Sequence, residues 1–128
     1  MMHFYNLVHT QFNTKIHRIR SDNGAEFMFT KFFNDHGIIH ECSCVETPQQ
    51  NARVECKHQH ILQITRALLF HSSLPTKFWS DAVQTAVFLI NRTPSTVLHN
   101  ISPYEKLFHV PPDYSMFRVF GCLCYISS

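Results

Sequence analysis

Two carboxylates in this sequence stand where acidic side chains can bind a divalent cation. Asp22 follows Lys15–Ser21, which we interpret as a strand, and Asn23 and Gly24 supply the turn residues that end it. A carboxylate fixed at the end of a strand suits a hard cation such as magnesium. Because one aspartate cannot hold a catalytic cation alone, a second acid must converge on it, and Glu55 is the best candidate.

Both residues also have explanations that involve no chemistry. An aspartate after a strand is often a turn former. Glu55 falls in the first turn of a predicted helix, where the helix dipole favours an acid. The metal-binding interpretation therefore needs support from the surrounding sequence.

Cysteine and histidine offer a rival metal interpretation, in which zinc would be the ion. The candidate pairs have one residue between their members, a spacing that is poor for zinc, and alternating cysteines on strands are typically buried thiols. They are Cys42 with Cys44, Cys122 with Cys124, and His58 with His60.

The elements that would position these residues alternate between helix and strand, which predicts an α/β fold. Gly37 is well placed to end a helix in the left-handed conformation. On the long helix, Val54, Ile61, Ile64, Leu68 and Leu69 form the predicted core stripe, and Trp79 begins the next one. The predicted elements are a helix in the first dozen residues, strand Lys15–Ser21, helix Ala25–His36, strand Ile38–Val45, a polar loop Glu46–Asn51 in which Asn51 caps the next helix, helices Ala52–His71, Pro75–Ile90 and Ser102–Phe108, and a strand Phe117–Ile126.

The composition limits the possible number of domains and the class of protein, but it does not identify a function. The chain has 128 residues with 45% hydrophobic and 16% charged residues, which fits one compact domain or part of one. Twelve phenylalanines argue for a packed core, and a net charge of +2 does not by itself indicate a nucleic-acid binder. No stretch has the length of a membrane span, so no membrane partner is expected, and five cysteines fit a reducing, intracellular compartment.

Several ordered motifs add a resemblance to these observations. They are Ser21-Asp22-Asn23-Gly24-Ala25-Glu26-Phe27, His36-Gly37-Ile38, Thr47-Pro48-Gln49-Gln50-Asn51-Ala52-Arg53-Val54-Glu55, Leu74-Pro75 to Phe78-Trp79, Leu89-Ile90-Asn91-Arg92-Thr93-Pro94, Ser102-Pro103-Tyr104 and Val119-Phe120-Gly121-Cys122. Together they cover essentially the whole chain, which resembles the integrase catalytic core of Ty1/copia-type retrotransposons.

The resemblance implies a ribonuclease-H-like fold and a three-carboxylate site of two aspartates and one glutamate. Such a site binds two Mg²⁺ or Mn²⁺ ions that act in polynucleotidyl transfer during DNA integration. Asp22 matches the family's second aspartate and Glu55 its glutamate, which makes both metal ligands and catalytic residues. DNA is the implied partner and the nucleus, or a cytoplasmic particle, the implied location; self-association into a homo-oligomer is left open.

The resemblance and the helix spacing together nominate residues for DNA contact. Gln49, Gln50 and Asn51 belong to a segment that resembles the family's active-site loop, and Asn23 would shape the approach to Asp22. On the helix that follows, side chains three and four residues after Glu55 face the same way as Glu55. These are His58 and Gln59, and with the cations Arg53 and Lys57 nearby they form a candidate DNA-facing edge of the helix.

The positions at which this sequence departs from the family pattern are as informative as those that match it. The family's first aspartate lies upstream of the Asp22 region, and no acid precedes Asp22 in this sequence. The interval from Asp22 to Glu55 is slightly short, and Ala52 and Cys56 stand where the family usually has glycine and arginine. We therefore expect a partial ribonuclease-H-like fold whose first strands and first ligand are missing, and no activity of this chain by itself.

This interpretation makes residues 1–94 a truncated integrase catalytic core and residues 95–128 its C-terminal extension. An alternative is a noncatalytic nucleic-acid-binding or protein-interaction remnant that keeps the helices Ala52–His71 and Pro75–Ile90 as docking surfaces. A third is a misfolded or unexpressed pseudogene product, since a core that is cut open exposes apolar faces.

Overall fold

The computed structural model of the chain describes residues 1–22, 24–43 and 52–125. Its order of elements agrees with the predicted alternation of helix and strand. Single turns of 3-10 helix at Ala25–Phe27, Thr76–Phe78 and Thr96–Leu98 join the longer elements. These longer elements are α1 (Met2–Phe12), β1 (Arg18–Ser21), α2 (Thr30–Asp35), β2 (Ile39–Cys42), α3 (Ala52–Ser72), α4 (Trp79–Arg92) and α5 (Pro103–Phe108).

The chain divides into two compact units, Met1–Glu55 and Cys56–Ser128. In the first unit the buried apolar residues are Phe33 and Ile38, and in the second they are Leu69, Ala82, Ala86 and Ile90. Neither the ribonuclease-H-like fold nor the predicted boundary after Pro94 is tested by these units, and both stay predictions. No helix among the described residues is long and apolar enough to cross a bilayer.

In the first unit, β1 and β2 pair in parallel, and the chain between them passes through α2. Arg20 lies opposite Glu41 and Ser21 opposite Cys42, and the ladder continues with the Ser43 N–H donating to the Ser21 carbonyl at 3.0 Å. Two isolated strands are marginally stable, so side-chain contacts must support this pair. The predicted strands were longer than those observed, and Cys44 and Val45 lie outside the described residues.

A charged fork across the two strands supplies one such contact. The Glu41 carboxylate accepts from Arg18 Nη1 and from Arg20 Nη2, each at 2.8 Å. Arg18 and Arg20 are two residues apart, so they share one face of β1 and converge on the same acid. The fork therefore stabilises the observed register, because a one-residue slip would turn the arginines away from Glu41.

The predicted helix Ala25–His36 is wrong in its first half. The backbone leaves the helical region at Met28 and Phe29, and α2 proper begins at Thr30. Because of this break, Phe27 and Phe33 lie in different environments. Phe33 is buried with its ring 4.7 Å from that of His40, and Phe27 lines the cleft described below.

The predicted stop at Gly37 is confirmed, with φ at +64°. The Ile38 N–H donates to the Phe33 carbonyl at 2.9 Å and the Gly37 N–H to the Asn34 carbonyl at 3.2 Å. These two bonds satisfy carbonyls at the end of α2 in a Schellman motif, which also brings the buried side chains of Phe33 and Ile38 together.

The helices α3 and α4 each bury one stripe. Thr65 and Leu69 are buried on α3, and Ala82, Ala86 and Ile90 on α4, all at a spacing of four residues. The predicted stripe on α3 began too early, because Val54 is 69% exposed in the first turn of the helix.

Trp79 was also predicted to lie in the core, yet it is 39% exposed. It occupies the first position of α4, one turn before the buried stripe begins at Ala82. The large side chain at the helix start is therefore only partly covered, while the small alanines allow close packing.

In the C-terminal region the short helix is confirmed and the strand is wrong. Ser102 caps α5, its hydroxyl accepting from the Glu105 N–H at 3.1 Å. Residues 117–125 form no strand. Gly121, with φ at +83°, breaks the extended path that the apolar residues suggested.

Gly121→Ala should destabilise the Cys56–Ser128 unit by about 1–3 kcal/mol, because a Cβ there would lie 2.7 Å from the Ser72 Cβ. Gly37→Ala is the matched control: its φ is also positive, but a Cβ would meet nothing within 4 Å, so only the conformational cost of about 1 kcal/mol remains. Hydrogen exchange of each variant's own unit measures both effects. A smaller loss of protection for Gly121→Ala than for Gly37→Ala would contradict the close packing.

Acid should weaken the strand pair. Arg20 and then Arg18 hold the pKa of Glu41 below its ordinary value of 4.5, so their stabilisation is complete above that value and is lost as the pH falls through the lowered pKa. Thermal melts between about pH 6 and about pH 3 should show a smaller acid destabilisation for Glu41→Gln than for the wild type. Asp35→Asn, at an exposed acid in α2, should keep the wild-type slope; equal slopes for all three proteins would contradict a role for the fork.

Candidate functional site

The first unit contains a cleft of about 360 Å³ that brings the two predicted ligands together. Asp22 reaches it from the end of β1 and Glu55 from the first turn of α3. The two carboxylates thus reach one cleft from distant parts of the sequence. The remaining lining residues are Arg20, Ser21, Phe27, Arg53 and Val54.

Asp22 is positioned by the carboxyl end of a parallel strand, which is where ligand sites of α/β sheets usually lie. The Gly24 N–H donates to Asp22 Oδ1 at 3.2 Å, so the turn after β1 orients the side chain. This contact leaves Oδ2 and the remaining lone pairs of Oδ1 facing solvent, since Asp22 is exposed. An exposed and oriented carboxylate of this kind has the donor atoms that a hard cation needs.

A hydrogen-bond chain from β2 holds the backbone of Asp22. The Ser21 hydroxyl donates to the Asp22 carbonyl at 2.8 Å, and His40 Nε2 lies 2.8 Å from the same oxygen of Ser21. Because a hydroxyl has one proton to give, this pair of contacts requires the His40 tautomer that carries its proton on Nε2. Ser21 is 8% exposed, so this partner also satisfies a buried polar group.

Glu55 has a simpler environment. It is exposed in the first turn of α3, where the helix dipole favours a carboxylate. The ion pairs found among the described residues are those of Glu41 with the two arginines, so neither Asp22 nor Glu55 is neutralised by a salt bridge there. Among the described residues, therefore, no cation competes with a ligand for either carboxylate.

The cations at the cleft differ in what they can do. Arg20 is held by Glu41 through Nη2 and Nε, at 2.8 and 3.3 Å. Arg53 is exposed, and no ion pair engages it within residues 1–22, 24–43 and 52–125. Arg53 is consequently the lining cation that can contact an anionic ligand at no cost to the strand pair.

Of the other predicted DNA-contact residues, three lie within the part of the chain that the structure describes and four lie outside it. Lys57, His58 and Gln59 are exposed on α3. None of the three lines the cleft at Asp22; Lys57 instead lines a second cleft, of about 590 Å³, together with His60. Asn23, Gln49, Gln50 and Asn51 lie outside the described residues.

The structure gives the zinc interpretation no support among the described residues. Nowhere in that part of the chain do three or more histidine, cysteine or acidic side chains lie close enough together to bind a metal ion. Cys42 Sγ lies 3.9 Å from His40 Nδ1 and 3.8 Å from Nε2, a contact within one strand. Cys44, the predicted partner of Cys42, lies outside the described residues.

Sequence reasoning missed the supporting residues of this cleft. Arg18, Arg20 and Glu41 carry an alternating charge pattern on paired strands, and that pattern could have revealed the fork. The role of Ser21 and His40 had no such signal, because it depends on the register in which the strands pair.

Comparisons with known proteins show where similar sequences occur. No protein-family model matches the chain. The Pol polyprotein of the Arabidopsis thaliana transposon RE1, which is named retrovirus-related, is 45% identical over 123 residues, which are 95% of this chain and 8% of that protein. The retrovirus-related Pol polyprotein of the Nicotiana tabacum transposon TNT 1-94 is 38% identical over 125 residues, 95% of this chain and 9% of that protein.

A shorter match is to ORF3 of Spiroplasma virus SpV1-C74, whose name describes an integrase. It is 34% identical over 68 residues, 41% of this chain and 19% of that protein. The chain spans less than a tenth of the length of the two Pol polyproteins. With such identity across nearly all of its residues, this chain is homologous to a segment of the retrovirus-related Pol polyproteins of Ty1/copia-type retrotransposons.

Proposed function

We propose that the chain is the part of a retrotransposon Pol polyprotein that takes part in DNA integration, and that it contributes Asp22 and Glu55 to a metal-dependent polynucleotidyl-transfer site. The observation that carries this proposal is the single cleft of about 360 Å³ that both carboxylates line. The similarity to a viral protein named as an integrase supports the choice of reaction. The site would act on chromosomal DNA in the nucleus.

The chemistry of the cleft fits a divalent cation. Asp22 and Glu55 offer oxygen ligands, which Mg²⁺ and Mn²⁺ prefer, and both are exposed to an incoming ion. When bound, the metal would polarise the phosphate under attack and stabilise the charge of the leaving oxygen. The Gly24 N–H and the chain from His40 through Ser21 keep Asp22 in place for this role.

The protein's own cations would bind the DNA backbone. Arg53 lines the cleft beside Glu55, and its guanidinium can donate to phosphate oxygens in a bidentate manner. Arg20 is occupied by Glu41, so it adds positive potential at the cleft while Arg53 makes the contact.

Two carboxylates give a cation fewer anionic ligands than the three of the integrase site. We therefore propose that this chain by itself binds the metal weakly and does not join DNA strands. A noncatalytic nucleic-acid-binding role is the second candidate, and the exposure of Arg53, Lys57, His58 and Gln59 along α3 favours it. Metal binding at the cleft separates the two functions.

Titration with Mn²⁺ should broaden the NMR signals of residues around Asp22 and Glu55, because a paramagnetic ion relaxes nearby nuclei. The double substitution Asp22→Asn with Glu55→Gln should remove this selective broadening, since amides lose the charge that attracts the ion. The control, Asp35→Asn, removes one exposed acid of α2 and should leave the broadening unchanged. Broadening that survives the double substitution would refute the metal site.

Arg53→Ala with Lys57→Ala should flatten the salt dependence of DNA binding. If both side chains neutralise phosphates, the slope of log K against log salt concentration should fall by about two. Lys15→Ala with Lys31→Ala removes the same charge from exposed positions in the first unit and should keep the slope of the wild type. An unchanged slope in the Arg53 and Lys57 variant would exclude this edge of α3 as a DNA contact.

A further inference from the structure

Arg92, at the end of α4, is held between two aromatic rings in the Cys56–Ser128 unit. Its guanidinium carbon lies 3.7 Å from the ring centre of Phe88 and 4.6 Å from that of Tyr104. Phe88 is in turn fixed by Phe117, at 5.4 Å between ring centres. These two rings, the Arg92 clamp, therefore pack against the guanidinium and restrict its position.

Arg92 also lines a cleft of about 340 Å³. Nη1 makes one long contact, at 3.4 Å, with the Phe88 carbonyl, and a guanidinium has five N–H donors. Most of its hydrogen-bonding capacity thus remains available. The other residues that line the cleft are Asn91, Pro103, Tyr104, Leu107 and Phe108.

Nothing in the described chain neutralises this charge. The ion pairs among residues 1–22, 24–43 and 52–125 all involve Glu41, in the other unit. The Asn91 amide and the Tyr104 hydroxyl line the same cleft, and neither makes a hydrogen bond through its side chain to another described residue. The cleft therefore brings two neutral donor groups together with one unneutralised guanidinium, which is an arrangement for an anion.

The remaining lining is flat and apolar. Leu107 is 53% exposed and Phe108 49% exposed, and the Phe108 ring lies 4.8 Å from that of Tyr104. A simple inorganic anion would use the donors and leave these surfaces in water. A nucleotide uses both, because its phosphate accepts hydrogen bonds while its base and sugar cover apolar and aromatic groups.

We propose that this cleft is a second nucleic-acid site, which binds a phosphodiester of single-stranded nucleic acid. The guanidinium edge of Arg92 holds the phosphate oxygens, assisted by Asn91 and the Tyr104 hydroxyl, and an unstacked nucleoside covers Leu107 and Phe108. Single strands are favoured because bases within a duplex cannot reach a side-chain surface in this way. The inference rests on the proposed function only in the choice of nucleic acid as the ligand.

Binding of the complete chain to a fluorescein-labelled dT15 oligonucleotide tests the site. Arg92→Gln should weaken binding and lower the salt slope by about one, because one phosphate contact is lost. Lys77→Gln is the matched control: this cation also lies over an aromatic ring, Phe78 at 5.1 Å, in the same unit, but it does not line the cleft. It should keep the wild-type slope.

Since Arg92→Gln also removes a clamp between α4 and α5, a second variant keeps the test independent of folding. Asn91→Asp preserves shape, is exposed, and places a negative charge at the cleft, so the dissociation constant for dT15 should rise several-fold. Gln84→Glu adds the same charge to the same helix two turns away, about 10 Å, beyond the screening length at physiological salt. It should bind as the wild type does.

Equal binding by Asn91→Asp and Gln84→Glu would overturn the site. Competition by a poly-glutamate peptide as strong as that by unlabelled dT15 would show a general anion site and overturn the nucleic-acid assignment, as would equally strong competition by inorganic phosphate. The Mn²⁺ experiment at Asp22 and Glu55 is unaffected by these outcomes, so the failure of one proposal is distinguishable from the failure of the other.

Discussion

The parallel pairing of β1 with β2 is the constraint on which the candidate site depends. A pair of four-residue strands has little stability of its own, and here one acid on β2 holds two arginines on β1. Because side chains alternate along a strand, a shift by one residue would break both ion pairs and also turn Ser21 away from His40. The position of Asp22 is thus a consequence of strand register.

The same register gives buried polar groups their partners. Ser21 is buried yet fully engaged, since its hydroxyl donates to the Asp22 carbonyl and accepts from His40. His40 lies against the buried ring of Phe33, so the core of the first unit fixes the orientation of the imidazole. Apolar packing against Phe33 therefore positions the hydrogen bonds that run from His40 through Ser21 to the Asp22 backbone. These hydrogen bonds in turn position the Asp22 carboxylate, whose oxygens remain in solvent.

The second unit is stabilised by close contacts of a different kind. Small residues, Ala82 and Ala86, form the buried stripe of α4, and Gly121 approaches the Ser72 side chain more closely than any larger residue could. The Arg92 clamp joins α4 to α5 through aromatic faces, and Tyr114 donates to the Arg92 carbonyl at 2.9 Å. The cation is consequently ordered by the fold at the lining of a cleft.

The sequence by itself determined the local features of this protein: most of the helices, the left-handed stop at Gly37, the short helix that opens at Ser102, and Asp22 and Glu55 as candidate ligands. These follow from periodicity, from turn chemistry and from family resemblance, which act over a few residues or over a motif. Only the tertiary structure decided that the two acids share a cleft, and that Phe27 lines this cleft while Phe33 is buried in the core. It also decided that Val54 and Trp79 are exposed and that residues 117–125 form no strand. Strand register, burial and ring stacking are properties of segments brought together from distant parts of the chain, and no local pattern encodes which segments meet.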